Sequence, residues 1–317
     1  MLFTIYKMQM KKVWKEVGKS DRKIKDKEIK PEGIIKKDFE IPLKDTRYKT
    51  KFKSKSLQFN LYYDKEEKTR PVILDIHGGA WIYGDKDLND KFCSHLAKEG
   101  FNVISLSYTL GFKAKNINQI QEIHFLMNYL YENKDRYHLD FDNLFVTGDS
   151  AGGQLTFLYA LIISNNDLFK DIFKCYNYNN LKINAIAVNH GAPYLKFDKL
   201  PPNYSNFTAW LSRTSKLKTA YGHFYKFKKV YRATDPNETL RAITHFVPTI
   251  ILSSRGDNLS YQSSLLDEEM TRCRFDHTYY FYNDESKGHV FNVLFPQSEE
   301  GKEFNSRIIN YFRTYIK

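Results

Sequence analysis

The chain contains the run Gly148-Asp149-Ser150-Ala151-Gly152-Gly153, directly after an apolar stretch and directly before a helical one. A serine set between two glycines in this way has the pattern of a nucleophile on a sharp strand-to-helix turn. Such a turn lifts the hydroxyl clear of the sheet, and it needs small neighbours because a Cβ at 148 or 152 would collide with adjacent backbone. The N-terminus of the following helix would aim amide hydrogens at charge forming on a substrate oxygen, which makes the Ala151 N–H a candidate oxyanion donor. The letters alone are weak, since a bare GxSxG arises by chance in roughly one chain in ten of this length. The flanking strand and helix give the motif its weight.

A second element, His77-Gly78-Gly79-Ala80-Trp81, follows the apolar run 71–76. The amides of Gly78 and Gly79 could come within about 3 Å of a substrate oxygen, an approach that side chains would obstruct. His77 precedes the serine and reads as a structural residue that hydrogen-bonds and fixes this loop.

Acyl transfer by a serine also needs a base and an acid that orients it, and with this elbow the chain order is nucleophile, acid, base. Asp257 lies after the strand predicted over 249–253, through Arg255-Gly256. Asp284 and Glu285 are rivals for the acid, but they sit after the last predicted strand and close to the base in sequence. Of nine histidines only His277 and His289 follow Asp257. His277 precedes the strand predicted over 278–282, which places it at the far edge of the sheet. His289, in Lys287-Gly288-His289-Val290-Phe291, lies in the loop after that strand and is the expected base. Nothing in the sequence has the form of HExxH, a Walker A loop or a strand-borne GxGxxG, so no metal or organic cofactor is expected.

These motifs resemble the hormone-sensitive-lipase-like branch of the α/β-hydrolases, whose members carry HGGG and, some seventy residues later, GDSAGG. The resemblance covers residues 56–317. GDSAGG is matched in full, while Ala80 stands at the third glycine of HGGG, where an alanine amide donates if its φ is negative. Tyr108-Thr109-Leu110 looks like the family's YRL segment with threonine for arginine, and Tyr108 itself reads as a buried aromatic at a strand end. Asp257-Asn258-Leu259 resembles the acid's DxL pattern, and His289-Val290-Phe291 the base loop. The resemblance implies a serine carboxylic-ester hydrolase for short- to medium-chain acyl esters, with a small-molecule ester as partner. An amidase, peptidase or kynurenine-formamidase-like hydrolase would use the same triad. A ligand-binding protein on a hydrolase scaffold is a third reading, opposed by retention of all three triad residues.

Positioning such residues requires an α/β fold, a mostly parallel sheet with helices on both faces. Strands are predicted over 57–63, 71–76, 102–107, 143–147, 183–188, 249–253 and 278–282, each rich in Val, Ile, Leu, Tyr or Phe. Apolar positions at three- and four-residue spacing predict helices over 87–99 and 117–133, with others over 154–163 and 303–315. Residues 194–246 break the rhythm with three prolines and many aromatics, among them Phe207, Trp210 and Tyr221, and read as a cap inserted into a hydrolase domain spanning 56–317.

With 42% hydrophobic residues, 24 Phe and 23 Tyr among 317, the chain has ample material for a core. Cys93, Cys175 and Cys273 cannot all pair with one another and form no CxxC, so reduced thiols are expected. The start is apolar only to Lys7 and no later run is long enough to span a membrane, which points to a cytoplasmic protein. Net charge is +12, and residues 1–55 hold 18 Lys/Arg against 8 Asp/Glu, so most of the excess lies in a basic N-terminal arm. A weak contact with an anionic membrane surface is one use of that arm, and a solvated, partly helical segment is the plainer one. No nucleic-acid partner is expected, because no DNA- or RNA-binding signature accompanies the charge.

Overall fold

Residues that alternate between apolar and apolar-or-small along 56–64, 70–76 and 102–107 can be buried on both faces only inside a sheet covered by helices on each side. The computed structural model describes residues 15–20, 23–24, 29–43, 55–111, 113–195 and 232–317. Within them β1 (Ile34–Pro42), β2 (Ser56–Asp64), β3 (Arg70–Ile76), β4 (Asn102–Ser107), β5 (Leu139–Asp149), β6 (Ala185–Asn189), β7 (Thr249–Ser254) and β8 (His277–Tyr282) form one sheet. Its order is β1-β2-β4-β3-β5-β6-β7-β8. The pairs β1–β2 and β2–β4 are antiparallel and all later neighbours are parallel. The chain reverses its direction of travel across the sheet between β3 and β5, so the crevice outside their carboxyl ends is where such a sheet binds ligands.

The helices are α1 (Asp90–Lys98), α2 (Asn116–Glu132), α3 (Ala151–Ser164), α4 (Asn166–Phe173), α5 (Pro236–Leu240), α6 (Ser260–Cys273), α7 (Phe291–Leu294) and α8 (Glu299–Arg313). Strand alternation sends Val72, Leu74 and Ile76 to one face, where they join Leu126 of α2 and Leu155 of α3 in one buried cluster. Ile73 goes to the other face, against Phe92 of α1 and Phe312 of α8. Phe312 stacks on Phe145 of β5 with ring centroids 4.8 Å apart, which seats the closing helix. Helix α3 is buried from Ala151 through Ile163, so it carries no polar stripe.

The α/β expectation is met, and the seven predicted strands all occur. Two differ at their starts by more than one residue. β5 begins at Leu139 because Leu139 and Asp140 pair with Arg70 and Pro71 before the register shifts between Pro71 and Val72. β6 begins at Ala185, two residues later than predicted. β1 was not expected at all: it lies within the basic arm, where lysines and acids on an edge strand hide the strand signal. Most of the anticipated cap, residues 196–231, lies outside the described residues. No helix among the described residues is long and apolar enough to cross a membrane.

β1 is tied to the loop before α1 by charge. Lys36 Nζ lies 2.6 Å from Asp87 and 3.1 Å from Asp90, and Lys86 Nζ lies 2.7 Å from Asp38. Asn60 Nδ2 also donates to Asp87 Oδ1 at 2.8 Å. Partial burial would raise the Asp87 carboxyl, but Lys36, Asn60 and Lys86 outweigh it and bring its pKa down to about 2. That value is below the roughly 3.9 of an unfolded aspartate, so the ionised carboxylate stabilises the fold above about pH 4 and this contribution is lost as pH falls toward 2. Asp87→Asn is therefore expected to lower Tm at pH 7, with the gap to wild type narrowing between about pH 5 and 2. A gap that stays constant in thermal melts across that range would show that the carboxylate's charge is not its source.

Candidate active site

Ser150 sits between β5 and α3 at φ 54° and ψ −116°, a conformation that is costly for a residue with a Cβ. Backbone bonds hold it there. Its N–H donates to Asn189 O at 3.1 Å, and its carbonyl accepts from Ala192 N at 3.0 Å. At Gly152 the crossing is so close that an added Cβ would run into the Ile76 carbonyl and stand 2.8 Å from that of His77. Ala151 opens α3, so its amide has no carbonyl one turn earlier in the helix to bond.

β3 and β5 pair in parallel with Ile76 opposite Gly148, so the glycine loop and the elbow leave the sheet side by side. The carboxylate of Asp149 joins them: it accepts from Gly78 N at 3.0 Å and from Asn89 Nδ2 at 2.8 Å. Asn89 Nδ2 also reaches Asp75 at 3.0 Å. Tyr108 Oη donates to the carbonyls of His77 and Gly78 at 2.9 and 3.1 Å. The His77 ring stacks on Tyr108 with centroids 4.2 Å apart, and its Nδ1 lies 2.8 Å from Gly78 O. His77 thus holds the loop from below, as its place in the chain implied.

This arrangement corrects the expectation for Gly78. Its amide is engaged by Asp149 and is not open to a substrate oxygen. The loop then turns over: Gly79 has φ 95°, Ala80 φ 50° and Trp81 φ 63°. The negative φ anticipated at Ala80 is not met. Gly79 O accepts from the amides of Ile82 and Tyr83, whereas its own N–H donates to no partner among the described residues. Gly79 and Ala151 are the two expected donors that remain open.

The acid and base are brought together by an isolated parallel bridge between Gly256 and Gly288, each one residue before a functional side chain. Only glycine fits at 256, where an added Cβ would meet the Glu285 carbonyl and lie 2.7 Å from that of Lys287. His289 Nδ1 then lies 2.9 Å from Asp257 Oδ1, which also accepts from Leu259 N at 2.8 Å. The Asp257 side chain is fully buried, while that of His289 is 35% exposed. Burial would raise the Asp257 carboxyl, but the His289 ring, His190 and the Leu259 amide hold it below the usual carboxylate range. An ionised carboxylate only accepts, so Nδ1 carries a proton, and in the neutral ring the lone pair then lies on Nε2.

The rivals are occupied elsewhere. Asp284 accepts from Ser286 N at 2.8 Å, and the exposed Glu285 pairs with Arg255 at 3.0 Å. His277 opens β8, opposite Thr249 at the start of β7, and contacts Asp267 at 3.0 Å, at the amino edge of the sheet. The elbow and the Asp257–His289 pair each border the end of β6. Asn189 O takes the Ser150 amide, and the His190 ring lies edge-on to His289 with centroids 6.1 Å apart. His190 was set aside in the sequence because it precedes Asp257. Asp149, Asn89 and the clamp made by Tyr108 were missed too, since nothing local marks which buried polar residues will meet.

The family model for BD-FAE matches residues 59–269. The chain belongs to the BD-FAE family. Among curated relatives, alpha/beta hydrolase R526 of Acanthamoeba polyphaga mimivirus is 27% identical over 204 residues, covering 60% of this chain and 52% of that protein. An acetyl esterase of Salmonella schwarzengrund is 30% identical over 100 residues, 31% of each chain. The match thus spans about half of the first relative and a third of the second. The structure of esterase B from Lactobacillus rhamnosis superposes with a TM-score of 0.82 at 23% identity, covering 99% of this BD-FAE chain and 96% of that one. The esterase of Pyrobaculum calidifontis gives 0.71 at 19% identity, with 97% and 93% covered. The α/β-hydrolase fold and the resemblance seen in HGGA and GDSAGG are borne out for this BD-FAE member.

Strain at the elbow has a measurable consequence. Such a conformation costs about 1–3 kcal/mol with a Cβ present, while glycine loses roughly 0.5–1 kcal/mol to extra unfolded-state freedom. Ser150→Gly is expected to be more stable than Ser150→Ala by about 1 kcal/mol in urea unfolding. Equal stability of the two variants would mean the turn is unstrained.

Proposed function

We propose that the protein is a serine carboxylic-ester hydrolase acting on short- to medium-chain acyl esters, with Ser150 as nucleophile, His289 as base and Asp257 as the acid that orients it. The observation that carries this reading is the convergence, around the end of β6, of a strained serine and a histidine paired with a buried carboxylate. The names of its esterase relatives support the bond type, and the aromatic-rich stretch 194–246 supports an apolar acyl group.

In this mechanism His289 Nε2 takes the Ser150 proton as Oγ attacks the ester carbonyl carbon. The carbonyl oxygen becomes an oxyanion, stabilised by the Gly79 and Ala151 amides, which were expected in this role, while Gly78 holds the loop through Asp149. Collapse expels the alcohol, which receives the proton from His289, and leaves an acyl-enzyme. A water attacks that acyl carbon with His289 again as base, and release of the carboxylic acid restores the serine. Asp257 stays ionised and stabilises the imidazolium at each stage.

Ser150→Ala and His289→Ala are expected to lower kcat on p-nitrophenyl butyrate by roughly 10⁴-fold or more, and Asp257→Asn by about 10⁴-fold, with the fold intact. Labelling by a fluorophosphonate should disappear in Ser150→Ala. A loss under tenfold at any of the three rejects that residue's role. A panel of p-nitrophenyl esters from acetate to palmitate, beside matched anilides and N-formylkynurenine, should show the highest kcat/KM on the shorter esters. Faster turnover of the anilides or of N-formylkynurenine would overturn the ester assignment.

A further inference from the structure

His190 is a fully buried titratable group that the mechanism above does not use. Its surroundings are aromatic: Phe304 stacks on it with centroids 5.2 Å apart, and Phe291 meets it edge-on at 5.7 Å. Yet both ring nitrogens are engaged. Nε2 lies 3.1 Å from Ser254 Oγ and Nδ1 lies 2.9 Å from the Asn189 side-chain amide.

Proton counting orients this chain. Ser254 Oγ lies 2.7 Å from Lys287 O and 3.4 Å from Gly288 O, and carbonyls only accept, so the single hydroxyl proton goes to them. Ser254 Oγ must then accept from His190, which puts a proton on Nε2. A neutral ring has Nδ1 as acceptor and needs a donor there. Asn189 as placed offers its oxygen to Nδ1, while its Nδ2 is buried without a hydrogen-bond partner. Exchanging the amide oxygen and nitrogen, two groups of nearly the same shape related by a half-turn of the side chain, gives His190 Nδ1 the donor it needs. The line then runs Asn189 Nδ2–H to His190 Nδ1, His190 Nε2–H to Ser254 Oγ, and Ser254 Oγ–H to Lys287 O.

The ring stays neutral in this setting. Burial brings its pKa down to about 4, with Asp257 and Asp149 opposing the shift and His289 adding to it. Among the described residues these three are the ionisable groups that act on it, from the loop after β7, the end of β5 and the loop after β8.

We propose that Asn189 and His190, acting through Ser254, form a positioning device that sets the base loop of His289 against the Ser150 elbow. The backbone of this dipeptide holds the nucleophile, through Asn189 O and the Ser150 amide, and is pinned to β7 by His190 N donating to Leu252 O at 2.7 Å. Through Ser254 Oγ the His190 side chain is linked to the carbonyls of the two residues immediately before His289. One rigid segment therefore registers both reacting groups, and a displacement of about 1 Å in such a geometry can cost on the order of 100-fold in rate. The inference rests on the serine-hydrolase reading and adds positioning residues to it.

The test compares His190→Phe, His190→Gln, Ser254→Ala and the double variant His190→Phe/Ser254→Ala, measuring kcat and KM on p-nitrophenyl butyrate per fluorophosphonate-titrated site, beside Tm. His190→Phe and Ser254→Ala should each lower kcat by roughly 10- to 100-fold with KM within about twofold. The double variant should be no worse than the poorer single one, as expected for one chain. His190→Gln keeps a donor near the Nε2 position and should recover kcat to within about threefold of wild type. A merely structural His190 would lower Tm while leaving kcat per titrated site unchanged. That result, losses that multiply in the double variant, or failure of His190→Gln to exceed His190→Phe overturns the proposal. Should His190→Phe not fold, Ser254→Ala, which removes only a hydroxyl, and His190→Gln decide: kcat within twofold of wild type for Ser254→Ala overturns it. Absence of fluorophosphonate labelling in wild type, or full activity of Ser150→Ala, would instead reject the hydrolase reading itself.

Discussion

The arrangement of the site depends on the buried carboxylate of Asp149. A buried carboxylate must be met by donors, and here they come from Gly78, on the loop that strand pairing sets beside the elbow, and from Asn89, just before α1. Once the Gly78 amide is committed to Asp149, the carbonyls of His77 and Gly78 are turned toward Tyr108 and the next residues are driven into positive φ. The glycine loop's shape follows from that one pairing. Its cost is borne in backbone conformation at Ala80 and Trp81, and its result is an amide at Gly79 that donates to no partner among the described residues.

Charge in the site is arranged economically. Asp257 is ionised, His190 is kept neutral by burial, and the His289 ring is oriented by a hydrogen bond to the Asp257 carboxylate. A second charged imidazole beside His289 would oppose formation of the imidazolium that the mechanism requires, so the aromatic box of Phe291 and Phe304 around His190 has an electrostatic effect as well as a packing one.

Much of the framework was legible in the sequence because parallel strands and their crossover helices leave strong local marks. The runs ending at Ile76 and Asp149 are short, apolar and followed by glycines, so both the strands and the loops they carry could be read together. Chain order then selected Asp257 and His289 from many acids and histidines. Legibility stopped where the determinant was a contact between distant segments. β1 looks like charged arm because its lysines and acids face solvent or pair with Asp87 and Lys86, residues that no periodicity connects to it. The Gly78 amide looked available because its partner, Asp149, lies 71 positions away and sits inside a motif normally read for its serine. His190 was dismissed by the same ordering rule that selected His289, since that rule concerns the reacting groups and is silent about residues that place them.

The two halves of the site are held by different means. Ser150, Ala151 and the glycine loop arise from β5 and β3 in the centre of the sheet, where strand pairing on both sides fixes them. Asp257 and His289 stand in loops beyond β7 and β8, toward one edge, and these loops are joined by the bridge at Gly256 and Gly288, by the Arg255 amide donating to Tyr282 O and by the Arg255–Glu285 pair. Such contacts fix the two loops to each other and not to the serine, so the pair could keep its internal 2.9 Å hydrogen bond and still shift relative to Ser150. A second attachment that reaches from the central strands removes this freedom. β6 is the strand between the two halves, and the residues at its carboxyl end are the ones that touch both.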